Sequence, residues 1–142
     1  MMKSKFNFIL VFLAIVSCQS DIGKISNATK SVVFPGVPQA KQFVLYQAEV
    51  ELFKPVNIVS VSVKNDQKEV VFDEFSLIQI PDGKIMNSKN DIPKGKYHFE
   101  ARLYDMTNFE KSSDELIIQM DSNGNNKTFK IKVTDTPPIM RK

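Results

Sequence analysis

Apolar and polar residues alternate along most of this chain, and the alternation is most regular over residues 43–53. There every second residue from Val44 to Leu52 is apolar, while Gln47 and Glu49 stand between them. A period of two residues is typical of a β-strand with one face in water. The same period recurs over residues 57–63, 97–103, 115–120 and 128–133. The pattern therefore predicts several short, half-buried strands.

Turn signals separate these stretches. The sequence PDGK at 81–84 predicts a hairpin turn, because proline presets the first corner and glycine accepts a positive φ. A second turn is predicted over residues 121–126 (DSNGNN), and the apolar phase breaks near Asp73 and Glu74, which predicts a bulge or bend. No 3.6-residue period follows residue 18. We therefore expect an all-β protein, an antiparallel sandwich of seven or eight strands, with a small up-and-down barrel as the alternative.

Residues 92–97 (IPKGKY) lead into one of the predicted strands. This run resembles the start of a late strand in bacterial immunoglobulin-like and fibronectin type III-like domains. The resemblance implies an immunoglobulin-like sandwich in which Tyr97 packs at a corner and hydrogen-bonds back to the backbone. The chain departs from immunoglobulin domains in having no cysteine pair and no tryptophan.

The N-terminus has a different pattern. Lys3 and Lys5 precede an unbroken apolar run over residues 8–16, and Ser17 and Cys18 follow the run. A charged start, a short apolar run and a small-residue exit predict a secretory signal peptide over residues 1–17. The run would extend roughly 14 Å as a helix, too short for a hydrocarbon core about 30 Å thick.

Residues 15–18 (IVSC) resemble the lipobox of bacterial lipoproteins. The resemblance implies that Cys18 becomes the first mature residue and carries acyl chains, palmitate among them, on its thiol and amine. Cys18 is the only cysteine, so no intramolecular disulfide competes for it. An ordinary signal peptide and a buried cysteine are the alternatives.

Composition divides the rest of the chain. Residues 18–30 are polar and aperiodic, and we expect a flexible, lipid-anchored tether there. The sandwich domain is predicted over residues 31–134 and an extended, loosely held tail over residues 135–142. Residues 31–34 form a short β-branched run before a proline, which predicts an edge strand open to a strand from another chain.

Charge argues against nucleic acid as a partner. The chain has 19 basic and 16 acidic residues. Without Lys3 and Lys5, 17 basic residues remain, one more than the acidic ones. A nucleic-acid-binding domain needs a strongly basic face. We expect no cofactor either.

Candidate chemistry is sparse. His98 is the only histidine and stands at an outward strand position, which favours a solvated side chain over a catalytic one. The oxygens of Asp121, Asn123 and Asn125 alternate as at the start of a calcium loop, but Lys132 stands where that loop needs glutamate. Turn chemistry is the favoured interpretation, and a weak calcium site is the alternative.

The carboxylates offer one further candidate. A pair for glycoside hydrolysis could come from Asp73 and Glu74 together with Glu49 and Glu51. A sugar cleft also needs aromatic walls, and the chain has no tryptophan. We therefore predict no catalytic residues.

Three aromatic residues lie outside the alternating pattern: Phe53, Tyr104 and Phe109. Exposed aromatics on loops are typical contacts for a protein partner, although capping of an open sandwich end is the commoner role. Phe109 lies within the polar loop over residues 105–114.

These observations predict a membrane-anchored, non-enzymatic lipoprotein that acts as a binding or accessory module in the bacterial cell envelope. Its expected contacts are the membrane, through the acyl chains on Cys18, and an envelope protein. In a Gram-negative cell we expect the outer membrane, facing the periplasm. An inhibitor or immunity-type protein that blocks a hydrolase through the loop at 105–114 is the alternative, and an enzyme is a remote one.

Overall fold

The computed structural model describes residues 17–37, 39–86, 88–104, 109 and 112–140. Of the predicted signal peptide over residues 1–17, residues 1–16 lie outside them. Within the described part of the chain, no helix is long and apolar enough to cross a membrane. The strands are β1 (Ser17–Gln19), β2 (Gly23–Phe34), β3 (Phe43–Leu52), β4 (Asn57–Lys64), β5 (Glu69–Val71), β6 (Phe75–Ile80), β7 (Ile85–Met86), β8 (Gly95–Leu103), β9 (Glu115–Ser122), β10 (Asn125–Lys132), β11 (Thr134–Asp135) and β12 (Ile139–Met140).

The strands form two sheets that pack as a sandwich. The larger sheet has eight strands in the order β1-β2-β3-β8-β6-β7, with β11 and β12 paired to β2. The smaller has four strands in the order β10-β9-β4-β5. This is the strand order of an immunoglobulin-like sandwich, with β2, β3, β8 and β6 facing β10, β9, β4 and β5. The predicted fold class is confirmed, and the sandwich is not a closed barrel.

Alternating residues of both sheets make the core, as the period of two predicted. The largest fully buried side chains include Tyr46, Tyr97, Phe99, Leu116 and Phe129. Full burial of an aliphatic or phenylalanine side chain contributes about 1.5–3 kcal/mol, so these alternating positions determine which face of each strand turns inward.

Tyr97 forms the hydrogen bond that the resemblance implied. Its hydroxyl donates to the carbonyl oxygen of Pro93 at 2.7 Å. Its strand, β8, pairs with β3 and β6. This is the position of strand E in an immunoglobulin domain, whereas the tyrosine corner of those domains starts strand F.

The predicted tether is wrong for most of its length. Residues 23–30 belong to β2, and Ile22, Ile25 and Ala28 are buried. The pairing of β2 with β3 shifts register between Ser26 and Thr29. This bulge interrupts the alternation that would otherwise have indicated a strand.

Residues 31–34 are not an open edge. They continue β2, which pairs with β3 on one side and with β12 at Val33 and Phe34 on the other. The described part of the tail is extended, as predicted, but β11 and β12 attach parts of it to β2. Ile139 packs on a small outer cluster of Val33, Phe43 and Leu45.

The regular alternation is interrupted at two places, in β4 and between β5 and β6. In β4 the register shifts between Ile58 and Ser60, so Val59 is 53% exposed although the period of two placed it inward. The break near Asp73 and Glu74 separates β5 and β6, which belong to different sheets. The predicted bend is therefore the crossover between the two sheets.

Candidate functional site

An open cleft of about 560 Å³ lies along β6 and β8, beside the segment at 88–89. It is named the β6–β8 cleft below. The pairing of β6 with β8 sets Ser76 opposite Glu100, so two parts of the chain far apart in sequence share its walls. Its lining includes Ser76, Met86, Lys89, Glu100, Arg102 and Tyr104.

Both cations of the cleft lie over aromatic rings. The Arg102 guanidinium carbon is 4.9 Å from the centroid of the Phe43 ring, and Lys89 Nζ is 5.4 Å from the centroid of the Phe75 ring. Such contacts hold a cation in place without neutralising its charge. In the part of the chain that the structure describes, no ion pair engages either cation. Both cations line the cleft together with the carboxylates of Asp73, Glu74 and Glu100.

Tyr104 supplies the exposed aromatic surface of the cleft. Its side chain is 54% exposed, and its ring centroid is 5.4 Å from that of Phe43. Phe43 thus supports both Tyr104 and Arg102. An aromatic side chain on a rigid support loses little conformational entropy when a partner binds.

The carboxylates do not assemble into the predicted pair. Asp73 and Glu74 line the β6–β8 cleft, whereas Glu49 and Glu51 line a separate hollow of about 320 Å³. Glu49 also accepts a hydrogen bond from the side-chain amide of Asn27 at 2.9 Å. The four residues therefore belong to two sites.

His98 lies on the outer face of β8, as predicted. Its Nε2 is 3.3 Å from Glu100 Oε1 and 3.2 Å from Gln47 Nε2. These contacts form a polar cross-strand row typical of a sheet face in water.

The turn at 121–126 is a hairpin. Asn123 and Gly124 connect β9 and β10 with φ values of 51° and 83°, which is the geometry of a type I′ turn. The Asn125 amide donates to Asp21 Oδ2 at 3.3 Å, and Oδ1 of Asp121 is buried without a hydrogen-bond partner. Among the described residues, no three His, Cys, Asp or Glu side chains converge as metal ligands. Turn geometry alone explains why Asn and Gly occupy this position.

The three aromatics named as partner contacts have different surroundings. Tyr104 lies in the cleft. Phe53 is 38% exposed and follows β3 at the other end of the sandwich. Phe109 is fully buried in the core, so its prediction as an exposed contact is wrong. An isolated phenylalanine in a polar stretch of sequence gives no local signal that its ring is buried in the core.

A buried polar network, which the sequence analysis missed, fastens the residues around Phe109. Lys30 is 3% exposed, and its ammonium donates to Phe109 O at 2.8 Å, to Ser112 O at 2.5 Å and to Asp114 Oδ2 at 2.9 Å. The same carboxylate accepts from Tyr46 Oη at 2.7 Å and from the Ser112 hydroxyl. Each charge is therefore matched by several hydrogen bonds, which a buried ion pair requires.

Burial raises the pKa of the Tyr46 phenol well above its usual range, and the hydrogen bond to Asp114 raises it further. The hydroxyl therefore stays protonated and keeps donating. The sequence gives no local sign of this network, because the partners of Lys30 lie 79 to 84 residues away along the chain.

Cys18 lies in β1, where it pairs with Ile25 of β2. This places it at the beginning of the folded domain.

No family model matches the sequence, and no curated protein matches it. A crystal structure of an uncharacterized β-sandwich protein from Clostridium difficile 630 aligns with the chain at 16% identity and a TM-score of 0.39. The alignment covers 82% of this chain and 89% of that one.

Proposed function

We propose that this chain is a membrane-anchored bacterial lipoprotein, acylated at Cys18, that binds an envelope protein through the β6–β8 cleft. The role is non-enzymatic. In a Gram-negative cell the domain would lie on the periplasmic face of the outer membrane. The signal-like N-terminus and the lipobox-like residues 15–18 support the anchor.

The cleft carries the binding part of the proposal. Arg102 and Lys89 present cationic groups in the cleft, and Tyr104 offers a supported aromatic surface beside them. Aromatic and arginine side chains together are typical of the residues that dominate protein interfaces. Within the described residues, the polar contacts of the His98 ring are with Gln47 and Glu100, as expected of a histidine on a solvated strand face.

Site-specific photo-crosslinking tests the binding role. A benzoylphenylalanine replaces Tyr104 in the full chain, expressed in the organism that carries it. The matched control places it at Val59, which is similarly exposed on the other sheet. We expect one protein adduct at 104, absent at 59 and weakened by Arg102→Gln. No adduct at 104, or equal labelling at both positions, would contradict the proposal.

The anchor has its own test. Replacement of Cys18 by serine should move the protein from the membrane fraction to the soluble fraction, and the mass of the native N-terminal peptide should include acyl chains. A Cys18→Ser protein that remained equally membrane-bound would refute lipidation as the anchor. Protease digestion of intact against lysed cells then reports the side of the membrane.

A further inference from the structure

We infer that one end of the sandwich, which carries Phe53, Ile80 and Ile85, rests on the lipid surface beside Cys18. This end is named the anchor end below. The inference rests on the proposed acylation of Cys18, and it specifies which surface of the domain the bilayer covers.

Strand register places Cys18 close to this end. One row across five neighbouring strands of the larger sheet contains Gln19, Lys24, Glu51, Lys96 and Ile80. Cys18 lies one residue above that row. Strands are about 4.8 Å apart, so Ile80 on β6 is roughly 19 Å along the row from β1. Acyl chains on Cys18 therefore enter the bilayer at nearly the level of Ile80.

The anchor end exposes apolar side chains. Ile80 is 48% exposed and Ile85 is 54% exposed, and the turn at 81–84 joins them. Phe53 is 38% exposed, and its backbone N–H donates to Ile22 O at 2.9 Å, beside the turn that follows β1. Apolar tips of this kind gain free energy when they enter the boundary between headgroups and acyl chains.

Three lysines lie beside these tips. Lys54, Lys84 and Lys94 are exposed on the turns of the same end, as are the acids Asp21, Asp82 and Asp91, and Lys54 lies 3.9 Å from Asp21. Lysine stems can pack on apolar surface while their ammonium groups reach lipid phosphates. Apolar tips with exposed lysines beside them fit a lipid surface whose headgroups carry phosphates.

The described chain leaves little length for another arrangement. Cys18 is already paired in β1, and Ser20 N donates to Gly23 O in the turn that follows. The bilayer must therefore meet the domain near the turn after β1. Ile85 lines the cleft on the side of the anchor end, whereas the cleft residue Tyr104 follows β8 at the opposite end, where an envelope protein can reach it.

Spin labelling of the acylated chain tests this inference. Cys18 is the only cysteine and is consumed by acylation, so one introduced cysteine can be labelled alone. The test positions are Phe53→Cys, Ile80→Cys and Ile85→Cys, made separately so that the loss of one variant leaves two. The controls are Val37→Cys and Val71→Cys, both more exposed and both away from the anchor end.

The labelled proteins are reconstituted in vesicles of phosphatidylethanolamine and phosphatidylglycerol. Accessibility to oxygen and to a water-soluble nickel complex is then measured. We expect the ratio of nickel accessibility to oxygen accessibility at positions 53, 80 and 85 to be at most about one third of the ratio at positions 37 and 71, because lipid excludes the nickel complex. Equal ratios at all five positions in an acylated protein would overturn this inference alone. An N-terminal peptide mass without acyl chains would overturn the proposed anchor and this inference together.

Discussion

A single buried lysine joins three separate parts of the chain. Lys30 on β2 contacts Phe109, the segment at 112–114 and, at 3.6 Å, Asp135 of the tail. The desolvation of a buried ammonium costs several kcal/mol and is offset only when all its hydrogens find acceptors. Its three close acceptors at Phe109, Ser112 and Asp114 meet this requirement. Lys30 therefore works as a cross-link rather than as a surface charge.

We expect Lys30→Met to lower the free energy of unfolding by about 3–5 kcal/mol, because it leaves the Asp114 carboxylate buried without its cation. Urea unfolding measures the change. The control is Lys54→Met, which removes an exposed ion pair with Asp21 and should cost at most about 1 kcal/mol. A cost for Lys30→Met as small as the control would contradict the role of the network.

Tyr46 should make stability depend on alkaline pH. Burial and Asp114 raise the pKa of Tyr46 in the folded protein, and burial raises that of Tyr97. Below about pH 10 both tyrosines are protonated in both states. Above it the unfolded phenols ionise while the buried Tyr46 stays protonated, so Tyr46 removes up to about 1.4 kcal/mol of stability per pH unit, and the raised pKa of Tyr97 acts in the same direction.

The measurement is urea unfolding between pH 8 and pH 11. Tyr46→Phe should be less stable than the native protein at pH 8, because Asp114 loses a donor, yet its stability should fall less steeply above pH 10. Tyr104→Phe alters an exposed phenol and should keep the native slope. Equal slopes for all three proteins would refute this explanation.

At the scale of strands, the tail contributes packing that its composition does not suggest. β12 is only two residues long, yet Ile139 covers the outer cluster of Val33, Phe43 and Leu45. Its neighbour Met140 points away and is 74% exposed. The two residues form a matched pair in one strand.

We expect Ile139→Ser to destabilise the fold by about 1 kcal/mol, because it uncovers part of this cluster, and Met140→Ser to leave stability almost unchanged. Thermal unfolding of both variants compares them directly. Similar melting temperatures would mean that β12 does not cover the cluster.

The strands that could be predicted are those with one wet face and no bulge. β8, β9 and β10 keep their alternation from end to end, and β3 keeps it from Tyr46 to Leu52, so their inward residues could be named from sequence. β2 could not, because its bulge and the buried Lys30 both violate the pattern. Local periodicity carries no information about a lysine that finds its partners 79 to 84 residues away.

The cleft was predictable only in part. Tyr104, Asp73 and Glu74 could be named from sequence as chemically interesting residues, but their neighbourhood depends on the pairing of β6 with β8. Arg102 and Lys89 gave no signal, since each is an ordinary surface cation until an aromatic ring is placed beneath it. Phe109 was misplaced because a loop aromatic that folds inward looks like one that does not.

For the whole molecule, the main consequence of β2 is that the domain begins almost at Cys18. Lys24 lies in a strand paired on both sides, with Gln19 and with Glu51, and Lys30 is buried. A protease needs several residues of locally unfolded chain, and paired strands open rarely. The chain should therefore resist cleavage where a flexible tether would be cut first.

Limited trypsin digestion with peptide mapping by mass tests this consequence. Lys41 is exposed in the connection between β2 and β3, and we expect cleavage there well before cleavage at Lys24 or Lys30. Digestion after heat unfolding, where all three sites should be cut together, is the control. Early cleavage after Lys24 or Lys30 in the folded protein would show that this segment is a flexible tether, and the anchor end would then have no fixed position relative to Cys18. Resistance of Lys24 and Lys30 to trypsin would mean that no flexible hinge joins the acylated Cys18 to the sandwich. The β6–β8 cleft would then stay at a fixed distance from the membrane.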